Sequence, residues 1–220
     1  MIVSRIFTVL AIVATILLCI AIFLGLRIGK YNELYASFLS LNQQLEEMPV
    51  DTSPTKVEQL RSEATEVYRQ LEPPREKSRI HMVLGIMAGL VAVLVNCISV
   101  TYFIGTSRWC KEVVDTYQLP VDLVKTSTKL KRQCFPWSLS GILVVMLIVG
   151  LGAASDPGTL RTTTPQWVKP HLFAALFGIT WIAISLMVQV IKIRDNTEVV
   201  DKILTLVHQI RLERGLDADA

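Results

Sequence analysis

The chain has 220 residues, 51% of them hydrophobic, with a formal net charge of +3 and a mean hydropathy of +0.46. Soluble domains reach a similar apolar fraction, so the total decides little; four long stretches without Asp, Glu, Lys or Arg, at residues 6–26, 81–105, 138–155 and 171–191, argue against a soluble domain. Basic residues are interspersed with acids, which argues against a nucleic-acid partner, and the four cysteines show no C-x-x-C pair and no adjacent histidine, which removes a zinc signature.

A helix needs about 20 apolar residues to cross a hydrocarbon core of roughly 30 Å. The expected fold class is therefore an all-α membrane protein, a four-transmembrane-helix bundle. The first span covers residues 1–27. Its uncharged run of 21 residues exceeds the 7–15 of a typical signal-peptide core, and no small-residue cleavage site follows, so it reads as a retained anchor.

Residues 28–79 separate spans one and two and read as an extracytoplasmic αα-hairpin. Leu34, Phe38, Leu41, Leu45 and Met48 step by 4, 3, 4, 3, the spacing of a coiled-coil seam. Residues 49–54, PVDTSP, break the pattern. Val57, Leu60, Ala64, Val67 and Leu71 then repeat it, with Thr52 or Ser53 as N-cap and Pro54 in the first turn. No proline lies between Ile28 and Met48, so the first hairpin helix is expected to continue span one unbroken, about 64 Å from residue 6 to 48. The EPPR at residues 72–75 is expected to end the second helix.

Span two, residues 80–105, carries a stripe of small and polar residues: His81, Gly85, Gly89, Ala92, Asn96 and Ser99 share one helix face. Gly85 and Gly89 form a G-x-x-x-G, which lets helix backbones approach closely in lipid. Residues 106–136 read as a cytoplasmic basic loop. Within it Trp109, Val113 and Tyr117 mark a short amphipathic helix lying on the membrane, stopped before Pro120. Cys110, beside Arg108 and Lys111, is an ordinary loop thiol or a reactive one.

Span three is expected at residues 137–155, a short extracytoplasmic loop at 156–170, and span four at 171–193. Span four repeats the stripe of span two, with His171, Ala175, Gly178, Ile182, Ser185 and Gln189 on one face and Phe173, Phe177 and Trp181 away from it. These stripes are read as helix-packing faces. Trp109, Trp137 and Trp167 suit interfacial anchors. Residues 194–220 read as a cytoplasmic amphipathic tail, stopped at Gly215, that docks on the 106–136 segment or pairs with a second copy.

Lys and Arg number twelve in the segments that lie inside if the N-terminus is inside, against ten outside. The dense cluster of Lys125, Lys129, Lys131 and Arg132 before span three sets the expected orientation, both termini cytoplasmic in a plasma (inner) membrane.

His81 and His171 begin two spans that run the same way, each on a packing face. Two such helices are a candidate pair of axial ligands for one haem b, or a quinone-head site; the competing reading is two interfacial histidines and no cofactor. No Walker, G-x-S-x-G, H-E-x-x-H or dinucleotide motif is present, so no catalytic residue is assigned. The span cores lack the charged side chains that transport pathways use. The expected function is therefore a non-enzymatic membrane protein, a small subunit, assembly factor or scaffold, whose partners are the lipid bilayer and other membrane subunits or a second copy. A bis-histidine electron-transfer subunit is the alternative.

Overall fold

The structure, a computed structural model, describes residues 2–159 and 164–216. Among these residues there is no strand. Five α-helices follow in order: α1 Ile2–Leu26, α2 Tyr31–Glu46, α3 Pro54–Tyr117, α4 Asp122–Ser155 and α5 Thr164–Glu213, with a 3-10 turn at Pro157–Thr159. All but α2 are long and apolar enough to cross a membrane. Their apolar exteriors agree: Leu90, Leu143, Met146, Phe173 and Phe177 are all exposed, a patterning that water does not favour.

Three boundaries depart from the sequence expectation. The first hairpin helix does not continue span one. α1 ends at Leu26, and Gly29 takes a left-handed φ of 82° before α2 begins at Tyr31. Glycine reaches that region without steric cost, and tight i to i−3 bonds from Arg27 to Leu24 and from Ile28 to Gly25 close the end of α1. The absence of proline did not protect the helix.

Conversely, Pro73 and Pro74 do not end the second hairpin helix. α3 runs through both and is 64 residues long, about 96 Å. Each proline lacks the N–H that would bond four residues back, a local penalty of about 3 kcal/mol. Packing on this stretch overrides it: Ala64 and Leu71 are buried before the prolines, and His81 is docked after them.

The segment 106–136 is not a loop. α3 extends to Tyr117 and α4 starts at Asp122, so the Trp109 helix is the end of α3 rather than a separate surface helix. Gln118 adopts φ 56°, and the Leu119 amide bonds the Val114 carbonyl five residues back, a Schellman closure with a non-glycine residue. The tail is likewise continuous with span four in α5. It ends as expected at Gly215, whose φ of 66° accompanies a bond from the Leu216 amide to the Arg211 carbonyl. In the 156–170 segment α5 already begins at Thr164 and includes Pro170; residues 160–163 lie outside the described residues.

The chain forms two compact units. Unit 1 comprises Met1–Ile16, Leu90–Val145 and Ile179–Ala220; its core holds Phe7, Ala14, Val95, Phe103, Val114, Ile182, Leu186 and Ile203. Unit 2 comprises Leu17–Gly89 and Met146–Gly178; its core holds Leu18, Ala21, Tyr31, Ala64, Leu71, Ala88 and Ala175. In unit 2 the expected seam positions of α2 and early α3 are the shielded ones, and Phe38 meets Tyr68 across the pair with ring centroids 5.6 Å apart.

Candidate functional site: two polar interhelical clusters

In unit 2 the two candidate histidines come together. The rings of His81 on α3 and His171 on α5 have centroids 6.2 Å apart and planes at 66°. His81 Nδ1 lies 2.9 Å from the Ala21 carbonyl of α1, which orients the ring and makes Nδ1 the protonated nitrogen when the imidazole is neutral. Each ring presents its Cε1 edge to a glycine on a third helix. A Cβ at Gly25 would lie 2.9 Å from His81 Cε1, and one at Gly152 would lie 3.1 Å from His171 Cε1. Glycine is required at these two notches because the neighbouring imidazole occupies the side-chain volume. His171 Nδ1 is buried without a hydrogen bond of good geometry, with the Ile148 carbonyl of α4 beside the imidazole.

The pair joins four helices through two imidazoles, with the backbone of α1 at Gly25 and of α4 at Gly152 closing on the Cε1 edges of the rings.

In unit 1 the stripes of α3 and α5 meet through amides and hydroxyls. Gln189 Nε2 donates to Asn96 Oδ1 at 2.9 Å and to Ser185 Oγ at 3.0 Å. Asn96 Nδ2 donates to the Ala92 carbonyl, and Ser185 Oγ donates to the Trp137 carbonyl of α4. Gly141 of α4 makes room: a Cβ there would lie 2.6 Å from Asn96 Oδ1. Next along α3, Ser138 Oγ donates to Ser99 Oγ at 3.2 Å, with Cys134 Sγ 3.5 Å from the same hydroxyl. Further on, Asn196 Nδ2 donates to Tyr102 OH and Thr106 Oγ1, and Tyr102 OH lies 3.1 Å from Thr197 Oγ1. The order of these pairs shows that α3 and α5 run parallel in this unit.

Of the predicted packing residues, Gly89, Ala92, Asn96, Ala175, Gly178 and Ser185 are buried. Gly85 differs: a Cβ there would meet nothing within 4 Å, so this half of the G-x-x-x-G motif supplies no close contact. Close approaches are made by Gly25, Gly141 and Gly152, each to a polar side chain of another helix. Tyr102, Thr106 and Asn196 were not anticipated. Their signal was available, since Asn196 lies seven residues after Gln189 on the same face and Thr106 seven after Ser99. Tyr102 lies inside the uncharged run at 81–105, three residues past the expected stripe, and Thr106 and Asn196 lie beyond the runs.

Trp137 stacks on Trp181 with centroids 5.2 Å apart, and Trp181 Nε1 donates to Ser140 Oγ at 3.1 Å. Cys110 is fully buried beside Ser127, and burial pushes its thiol up from the ordinary range. That favours the inert reading of this cysteine over the reactive one. Among the described residues no group of three or more His, Cys, Asp or Glu side chains is placed to hold a metal. No family model, no curated protein and no solved structure matches the chain.

Proposed function

We propose that the chain is a non-enzymatic integral membrane protein that serves as a small subunit, assembly factor or scaffold of a larger membrane complex. It crosses the bilayer four times with both termini in the cytoplasm. The α2 helix and the first part of α3 form the extracytoplasmic projection, and the end of α5 forms a cytoplasmic arm. The observation that carries this reading is the way the apolar stretches spend their polar side chains. Asn96, Ser99, Ser138, Ser185 and Gln189 are hydrogen-bonded to helix neighbours, and the uncharged runs supply no carboxylate, ammonium or guanidinium group for chemistry or transport. Hydrogen-bonded packing inside the apolar stretches, with helices carried well past them, has the form of a support for other proteins.

Purification in a mild detergent followed by mass spectrometry tests the function. A stoichiometric membrane partner or a defined homo-oligomer is expected, and a strictly monomeric species with no co-purifying protein would count against it. Orientation is tested separately by a cysteine at Glu58, expected to label with an impermeant maleimide from the outer side. Labelling only from the cytoplasmic side overturns the topology and leaves the scaffold reading intact.

A further inference from the structure

In unit 2 a groove of about 480 Å³ opens where α1 gives way to α2; it is lined by Ile28, Lys30, Leu34, Arg69, Gln70, Pro73, Pro74 and Lys77. We infer that this groove is a binding site for the headgroup of an anionic phospholipid.

Depth is the first argument. α1 ends at Leu26, and the uncharged stretch of α3 starts at His81, whose ring rests on Ala21 and Gly25. Lys77 stands one helical turn, about 5.4 Å, beyond His81, at the level where the chain leaves α1. That is the level of lipid phosphates for a helix whose apolar run ends at Leu26.

Charge is the second. No acidic side chain lines the groove. Arg69 is engaged by Glu66, with Nη2 2.8 Å from Oε1, so its charge is largely answered. The side chains of Lys30, at the N-cap of α2, and Lys77, on α3, have no ion pair among the described residues, and both line the groove. The same hairpin is acidic away from this end, where Glu46, Glu47, Asp51, Glu58 and Glu63 outnumber Lys56 and Arg61. Cations are thus gathered at the membrane end of the hairpin, within reach of lipid phosphates.

The third argument is the backbone. Pro73 and Pro74 supply no N–H to the carbonyls of Arg69 and Gln70, four residues earlier. Those four residues all line the groove, which therefore offers carbonyl acceptors beside ammonium donors. A phosphate with a hydroxyl- or amine-bearing headgroup uses both. The apolar floor of Ile28 and Leu34 suits the glycerol and first acyl carbons.

Native mass spectrometry of the full-length protein, offered equal dioleoyl phosphatidylglycerol and dioleoyl phosphatidylcholine, tests this. Wild type is expected to retain phosphatidylglycerol preferentially. Lys30→Gln/Lys77→Gln should bind it roughly twentyfold more weakly, about fivefold per cation. Lys56→Gln/Arg61→Gln, at the far end of the hairpin, should bind as wild type does. Equal retention of the two lipids by wild type, unchanged binding in the groove variant, or equal loss in the distal variant overturns the inference. Displacement of the lipid by excess inorganic phosphate also overturns it, showing a free-anion site. If the glutamine variant does not fold, Lys30→Arg/Lys77→Arg keeps the test alive, since retained preference in the wild type and in this variant is required.

Discussion

The two units hold their helices together by different means. In unit 1, amides and hydroxyls bond to one another in sequence along α3 and α5, and Gly141 admits the Asn96 amide to the seam. In unit 2, two imidazoles do the joining, each seated in a glycine notch on another helix. The shared element is a glycine that yields its side-chain volume to a polar group. The difference is how firmly that group is held. Asn96 is fully buried and tied to Ala92 and Gln189, so it cannot move aside. His81 has one bond and partial exposure, so its ring has somewhere to go.

Substitution at the notches exposes this contrast most strongly. Gly141→Val should destabilise the protein by about 3 kcal/mol in mixed-micelle denaturation, because overpacking meets an amide that is locked in place. Combining Gly141→Ala with Asn96→Ala should recover much of the loss of Gly141→Ala alone; simple additivity would sink the explanation. Gly25→Ala should cost less, about 1–2 kcal/mol, with His81→Ala relieving part of it. If Gly25→Ala proves the more damaging of the two alanine variants, the ranking of the units is wrong.

Smaller effects sharpen the comparison. Gln189→Leu removes the central donor of unit 1 but should cost only about 0.6 kcal/mol, and no more than roughly 2, since the membrane-embedded unfolded state also finds partners for these groups. Gly85→Ala should cost nothing and gain up to about 1 kcal/mol from helix propensity, because its Cβ meets only open space. A loss of stability or of oligomeric state in that variant would reveal a contact with another copy or subunit. The smallest effect lies in the hairpin. Hydrogen bonds from Arg69 and Gln70 hold the Glu66 carboxyl down at about 2, from 4.5. With the folded value below the unfolded one, any contribution is present above pH 4.5 and lost as pH falls through about 2. A carboxyl titration should show this midpoint, and Arg69→Ala should return it toward 4.5 with little change in stability, because the pair is fully exposed.

Much of the architecture was legible in the residue order. Uncharged runs of sufficient length marked four long apolar helices, and spacings of 3 and 4 marked the hairpin seam and the two packing stripes, since a helix face repeats with its own period whatever surrounds it. His81 and His171 were singled out for the same reason and do meet. Helix ends were less legible. One glycine outweighed an otherwise uninterrupted α1–α2 pattern, and two prolines failed to stop α3, because a local penalty of a few kcal/mol is decided by what packs on either side. The polar residues beyond the expected stripes, Tyr102 and Asn196, needed the neighbouring helix to be seen as a pair.

The sequence by itself determined what each helix is made of and which face it buries, for those properties follow from the period of one helix and the length of an apolar run. Only the tertiary structure decided which glycine faces a neighbour. Gly85 and Gly141 are alike as residues, yet one meets open space and the other an amide, because close approach belongs to two helices and is written in neither alone. It also decided that two histidines at matching positions meet, each against a glycine of another helix, since contact is a property of the packed assembly.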